Sequence, residues 1–342
     1  MSEFVKVKRR EIDELDRSLV EMILQRMDLS KALIEEKIRR KIEVFDPQRE
    51  KEITDSLKKE FEGRMSGKLI ENAFKLILNE AKNTYYQEDD IIRTKRPILI
   101  AGPCSIESEE QIERIAAHLS SLGIKYLRGG AHKPRTSPGS FQGLGDVGFD
   151  YIKQAADKHG MKTVTEVLTD EQLVSNYKKI DIVQIGSRNM TSYGLLKNIG
   201  SITAKDEKPV LLKRGQTSTI NEFIYATEYL LDAGNPNVIL CLRGIRTFEQ
   251  IDSDLRNTAD LSAIIELKSR TDLKVIFDPS HASGNSRAVL PLSKAAMELG
   301  ADGIMVEAHY SPKDSVSDAK QTIDFEQVDE LTEIVRTYSW KS

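Results

Sequence analysis

The sequence predicts an α/β chain, a (β/α)8 TIM barrel preceded by an all-α three-helix domain. Two observations carry the barrel: eight short apolar runs that each end in a reactive or charged cluster, and helix-length amphipathic stretches between most of them. The third carries the helical domain. About ninety residues precede the first run, more than a barrel of roughly 250 residues uses, and they follow a helical apolar period.

The helical part comes first. Residues 9–40 place Ile12, Leu15, Leu19, Met22 or Ile23, and Leu33 on one stripe. Stepping by three or four puts Arg9, Arg26 and Lys37 on that apolar face, which is expected to be buried. Buried cations must meet counter-ions, reach water along their stems, or line a pocket for an anion; three together favour the pocket. The helix is expected to stop before Asp46-Pro47, with Asp46 capping and Pro47 opening a second helix that carries Arg49 and Glu50. A third spans about 68–87, with Leu69, Ala73, Phe74, Ile77 and Leu78. Long, short, long is the pattern of a dimeric helical bundle.

The eight runs follow in order as ILIAGPCS, YLRGGAHKPRT, KTVTEV, IVQIGSRN, PVLLKRG, NVILCLRG, KVIFDPSH and GIMVEAHY. Stretches such as SEEQIERIAAHLSSLG and INEFIYATEYLLDAG supply intervening helices. In such a barrel all the strand carboxyl ends open on one face, where catalysis takes place.

Composition narrows the class. With 39% hydrophobic and 30% charged residues and no membrane-length apolar run, the chain reads as a soluble globular protein. The first residues lack a secretory pattern, and two cysteines, Cys104 and Cys241, make no disulfide framework, so the cytoplasm is the expected compartment. A net charge of −4 gives no reason to expect nucleic acid or an anionic membrane as partner. Yet Arg128, Lys133, Arg135, Arg188, Lys213, Arg214, Arg243 and Arg246 gather at the strand ends, as a small polyanion would require.

Among those ends, Cys104, His281, Glu307 and Asp318 offer sulfur, nitrogen and carboxylate oxygens, a set suited to a first-row divalent ion such as Mn2+. Cys104 alone would read as a small buried hydrophobe, and His281 and Glu307 equally well as structural hydrogen-bonding groups. Their convergence argues otherwise, because the first, seventh and eighth strands are neighbours once the barrel closes. Cys241, inside an apolar run, reads as core packing. Arg135, Arg188 and Arg243 with Lys133 and Lys213 could grip a substrate bearing carboxylate and phosphate together.

The motifs GPCSIES, LRGGAHKPRTSP, QIGSRNM, LLKRG, RGIRTFE, FDPSH and GADGIMVE resemble the 3-deoxy-D-arabino-heptulosonate 7-phosphate (DAHP) synthases of the short microbial subclass, over essentially all of residues 97–339. The resemblance implies condensation of phosphoenolpyruvate with erythrose 4-phosphate, the entry step to aromatic amino acids. It also implies that Arg135, Arg188, Lys213 and Arg243 bind phosphoenolpyruvate, and that Lys133, Pro134, Arg135 and Thr136 shape the erythrose 4-phosphate site. Lys133, His281 and Glu307 are the candidate catalytic groups, with proton handling left open among Glu307, His281 and a metal-bound water. Departures from the family's pattern fall at His132, Gly139 and Leu242.

The first segment resembles the all-helical chorismate mutases at Arg9, Asp16, Arg26, Lys37, Asp46, Arg49 and Glu50. The resemblance implies that Arg9, Arg26 and Arg49 hold the two carboxylates of chorismate, Lys37 its ether oxygen and Glu50 a hydroxyl, with Arg9 coming from the partner subunit of a homodimer or homotetramer. Ala81 and Tyr85 stand where that family has serine and glutamine. The expected division is therefore a chorismate mutase-like domain over 1–90 and a synthase barrel over 91–342. Two readings of the first domain stay open: a mutase, or a sensor that binds chorismate or prephenate and restrains the barrel.

Overall fold

The computed structural model describes residues 3–39, 47–86, 90–94, 96–133, 139, 141–248 and 257–338. Asp46, Pro134, Arg135 and Thr136, all expected at ligand sites, lie outside the described residues. The chain divides into two compact units, Met1–Lys95 and Arg96–Ser342.

The first unit is built from α1 (Glu3–Arg39), α2 (Pro47–Glu60) and α3 (Gly67–Tyr86). Helix α1 starts earlier than residue 9, with Glu3 in its first turn, where a carboxylate complements the helix dipole. Pro47 opens α2, as its fixed φ and missing N–H favour. Helix α3 packs against both α1 and α2, and Lys58 Nζ of α2 meets Glu71 Oε2 of α3 at 2.5 Å.

Within a single chain the α1 stripe is not buried. Ile12, Leu15, Leu19, Met22 and Leu33 are 54–69% exposed, and Ile23 is half-buried. Arg9 is likewise exposed, whereas Arg26 and Lys37 are half-buried, as is Glu50; Arg49 is exposed. A helical period reports which residues share a face but not what covers that face. Within one chain α3 covers only one side of α1.

The second unit is a closed barrel in which every strand pairs in parallel with its neighbours in chain order. Its strands are β1 (Ile98–Gly102), β2 (Tyr126–Arg128), β3 (Lys162–Glu166), β4 (Ile182–Ile185), β5 (Val210–Lys213), β6 (Val238–Leu242), β7 (Lys274–Phe277) and β8 (Gly303–Glu307). The helices are α4 (Glu109–Ser121), α5 (Asp146–Lys158), α6 (Asp170–Asn176), α7 (Tyr193–Thr203), α8 (Ile220–Asp232), α9 (Ser262–Arg270), α10 (Pro279–Ser283), α11 (Val289–Glu298) and α12 (Phe325–Thr337). Sequence-local signals start several of them: the Ser108 hydroxyl caps α4, and capping boxes at Thr219/Glu222 and Asp324/Gln327 start α8 and α12. Among the described residues, no helix is long and apolar enough to cross a membrane.

Alternation along each strand sorts the residues into two layers. Leu127, Val183, Leu212, Leu240, Phe277 and Val306 join the apolar shell beneath the helices. Their neighbours in sequence point into the barrel. Leu242, where the family's pattern has an acid, belongs to the shell and is buried. Cys241 is fully buried in register with Lys213, hence on the inward side under the barrel mouth, and burial pushes its thiol up to about 12.

Candidate active site

Strand order brings the first cluster together. Because β8 pairs with both β1 and β7, residues just past β1 and at the end of β8 become neighbours. Cys104, Glu307 and Asp318 each direct one donor atom into a group whose members lie within 4.8 Å of one another. The Cys104 Sγ–H donates to Asp318 Oδ2 at 3.0 Å. Asp318 adopts a left-handed backbone, φ 53°, which an aspartate tolerates better than most side chains. Gly102 ends β1 at φ 148°, and a Cβ there would stand 2.0 Å from the Arg128 carbonyl oxygen, so glycine lets β1 and β2 close just before Cys104.

His281 is not in that three-atom group, but it touches it: Nε2 stands 3.5 Å from Glu307 Oε1. The Glu307 carboxylate is fully buried, accepting from Arg128 Nη1 at 3.0 Å and from Gln321 Nε2 at 2.6 Å. Burial alone would raise its pKa, but His281, Arg128 and Lys133 outweigh that and hold it at about 2. Burial, then the Glu307 and Asp318 charges, push the Cys104 thiol up to about 12.

Three buried or half-buried acidic donors of mixed softness, gathered this tightly, fit a divalent first-row ion. A cation there would reverse the repulsion that keeps the thiol protonated.

Beside this group opens a cleft of about 190 Å³. Lys133, Arg188, Lys213 and Arg243 line it, together with Arg128, Arg246 and His281. Lys133 Nζ donates to the Cys104 carbonyl oxygen at 3.0 Å. Arg214, grouped with the others by sequence, turns away: its Nη1 pairs with Asp260 Oδ2 at 2.8 Å and its Nε and Nη2 bond the Ser218 carbonyl oxygen. Consecutive residues leaving a strand face opposite sides, so Lys213 enters the cleft and Arg214 does not. His132 packs its ring on Phe149 with centroids 5.7 Å apart. Gly139 is exposed, and no described residue comes within 4 Å of where its Cβ would stand.

Sequence reasoning passed over three members of this region. Glu166 ends β3 on the inward side, in register with Gln184, and both line the cleft; strand parity could have singled it out. Asp278 precedes a proline and caps α10, a signal usually read as structural. Gln321 carries no sequence signal at all, lying beyond the barrel strands.

Gly186 also has a role in this wall. A Cβ on it would stand 1.9 Å from Glu166 Oε1, so Gly186→Ala should leave the melting temperature close to wild type, since a flexible carboxylate end can move, while displacing that carboxylate from the cleft. A displacement of about 1 Å is enough for a roughly 100-fold loss of turnover. Steady-state kinetics with a thermal melt on the same sample check this; unchanged kcat and KM would show that the Glu166 position is immaterial.

Comparison with known proteins agrees with the geometry. Residues 82–342 match the DAHP synthetase I family and residues 8–85 match chorismate mutase type II. The chain is 49% identical over 235 residues to a phospho-2-dehydro-3-deoxyheptonate aldolase of Thermotoga maritima, covering 69% of this chain and 68% of that one. More distant is a 2-dehydro-3-deoxyphosphooctonate aldolase of Francisella tularensis, 27% identical over 257 residues, 70% of this chain and 90% of the relative. Among solved structures, the Thermotoga maritima DAHP synthase superposes with a TM-score of 0.67 at 48% identity, covering 71% of this chain and 70% of that one. A truncated form of the same synthase gives 0.65 at 46% identity, covering 71% and 87%. With its closed parallel barrel and a family match spanning most of its length, the chain belongs to the DAHP synthetase I family.

Proposed function

We propose that the barrel of this enzyme joins phosphoenolpyruvate to erythrose 4-phosphate, giving DAHP and inorganic phosphate, with a divalent ion, Mn2+ or a similar first-row metal, held by Cys104, His281, Glu307 and Asp318. The observation that carries this reading is the meeting of a soft-and-hard donor group with a cation-lined cleft at one barrel mouth. When bound, the ion supplies Lewis acidity to the aldehyde oxygen.

The chain's own residues do the rest. Arg188 and Arg243, with Arg135 in our reading, grip the carboxylate and phosphate of phosphoenolpyruvate with paired hydrogen bonds, and Lys213 adds a point charge. Lys133, with Pro134, Arg135 and Thr136, seats erythrose 4-phosphate. C3 of phosphoenolpyruvate then forms a bond to the aldehyde carbon, water adds at C2, and phosphate departs by C–O cleavage. Lys133 Nζ, close to the donor group, gives a proton to the new hydroxyl oxygen, while ionised Glu307 contributes negative charge to the donor group. Released phosphate, assayed with both substrates and with each alone, tests the reading; release without erythrose 4-phosphate, or none with both, would overturn it.

The helical unit, over 1–90 in our division, binds chorismate through Arg9, Arg26, Lys37, Asp46, Arg49 and Glu50 and rearranges it to prephenate. Such a rearrangement needs no nucleophile, only a compact conformer and positive charge at the breaking C–O bond. The second reading, a chorismate or prephenate sensor for the barrel, is favoured by Ala81 and Tyr85, which stand in place of the serine and glutamine of the mutases. Loss of chorismate absorbance with the full chain decides between them: catalysis should fall about 100-fold in Arg26→Ala, as when one transition-state donor is removed. Saturable binding without turnover would favour the sensor.

The exposed apolar stripe of α1 is a surface for a second copy of this chain, so the protein works as a homodimer or homotetramer, in the cytoplasm. Leucine and isoleucine repeating along one helix face are stabilised by burial against a like surface, at about 25 cal/mol per Å².

A further inference from the structure

We propose that Asp278 is a positioning residue that ties the metal-binding half of the site to the substrate-binding half. The inference rests on the reading of the barrel given above and extends it to the aspartate of the FDPSH motif, to which that reading gives no role.

The observation is one shared oxygen. Asp278 is fully buried. Its Oδ2 accepts from the Lys213 ammonium, which lines the substrate cleft, and from His281 Nδ1 at 2.8 Å. Its Oδ1 accepts the His281 backbone N–H at 2.9 Å, closing the first turn of α10. The carboxylate thus binds a candidate substrate cation and a candidate metal ligand through a single atom.

Chemistry then assigns the proton. An ionised carboxylate only accepts hydrogen bonds, so a ring nitrogen 2.8 Å from it must be the donor. Nδ1 therefore carries hydrogen, and Nε2, the nitrogen facing Glu307 Oε1, keeps a lone pair when the ring is neutral. That is the arrangement by which outer carboxylates orient histidine ligands of metals. The same oxygen fixes the Lys213 ammonium, whose flexible four-carbon stem would otherwise leave it free to wander.

Asp278→Asn is a sharp probe. Asparagine still offers Oδ1 to the His281 N–H and is a good helix cap, so α10 can form. Its amide nitrogen, however, would set a donor against the two donors from which the carboxylate oxygen accepted.

The experiment uses the metal-free full chain, titrated with Mn2+ alone, followed by the electron paramagnetic resonance of free ion, and separately with phosphoenolpyruvate by calorimetry. We expect Asp278→Asn to lose about 10- to 100-fold in Mn2+ affinity, the usual penalty for removing an outer partner of a metal ligand, and at least tenfold in phosphoenolpyruvate affinity. Lys213→Met, which leaves the His281 contact in place, should lose phosphoenolpyruvate binding but keep Mn2+ affinity within threefold.

Should Asp278→Asn fail to fold, the double variant Lys213→Met/Asp278→Asn removes both buried charges together and is expected to fold while still losing Mn2+ affinity. A purely structural aspartate would lower the melting temperature and leave both affinities within threefold; that result overturns the proposal, as does loss of only one affinity in Asp278→Asn. Wild-type protein binding neither Mn2+ nor phosphoenolpyruvate would instead sink the reading of the whole site, and this inference with it.

Discussion

Cys104→Ala is expected to abolish phosphate release from phosphoenolpyruvate and erythrose 4-phosphate. The side chain is fully buried and shares a donor group with Glu307 and Asp318, so the substitution removes one sulfur and leaves the barrel standing. Losing the ion removes several kcal/mol of transition-state stabilisation, about a 1000-fold effect or more. A lower but measurable Mn2+ affinity should accompany the loss of turnover, with the thermal melt little changed. Full activity in thoroughly metal-free wild-type protein would refute the role given to this group.

A pH dependence accompanies that prediction. Burial, Glu307 and Asp318 raise the Cys104 thiol to about 12, so at neutral pH the metal-free site holds Sγ–H, and binding an ion through sulfur releases that proton. Since a proton leaves on binding, affinity rises with pH below 12, with the thiol contributing about tenfold per unit. Glu307, held at about 2, is already ionised and adds nothing to the slope near neutrality. Comparing Mn2+ affinity between wild type and Cys104→Ala across pH 6 to 8 isolates the sulfur's share. An equal slope in both proteins would show that the thiol is not a ligand.

Lys213→Met should produce the second large effect, on stability as well as on substrate. Lys213 is 4% exposed and its ammonium donates to Asp278, which is fully buried. Cutting back one partner leaves the other charge in the interior without its ammonium, with His281 and the more distant Arg128 to answer it. Breaking a buried pair in this way costs about 3–5 kcal/mol, a fall in melting temperature on the order of 10 °C for a domain of this size. Phosphoenolpyruvate affinity falls with it, through loss of a charge-assisted hydrogen bond. The Asp278 carboxyl lies well below the usual range; burial opposes this, but His281 and Lys213 prevail. A melting temperature within a degree or two of wild type would mean that Lys213 and Asp278 do not depend on each other.

Much of the site could be read before any coordinates, because a parallel barrel turns chain order into spatial order. Runs that end in Cys104 and Glu307 become adjacent when the first and last strands pair, and Asp318 follows Glu307 closely enough to return to the same mouth. The long-range pairing that makes those residues neighbours is itself a consequence of eight apolar runs separated by amphipathic helices.

Other features were beyond sequence reasoning for definite reasons. Lys213 and Arg214 look alike as letters, yet one lines the cleft and the other ties Asp260 to a loop, because alternation sends them to opposite sides. Gln321 reaches Glu307 only through the path of the segment after β8. The bonding of Asp278 to both Lys213 and His281 depends on the register of β5 against its neighbours and on the turn that opens α10, neither of which a cap signature encodes. On α1 the apolar period was plain, but whether that face meets its own chain or water was not.

The amino-acid sequence by itself determined which strands and helices form, which carry donors and cations at their ends, and the family those motifs belong to, since these follow from local periodicity and residue chemistry. Only the tertiary structure decided which side each strand-end residue faces, which donors share an oxygen, and which apolar face its own chain leaves uncovered. Those outcomes depend on strand parity, register and packing between distant segments, and such distances are set when the barrel closes rather than by any residue's neighbours in the chain.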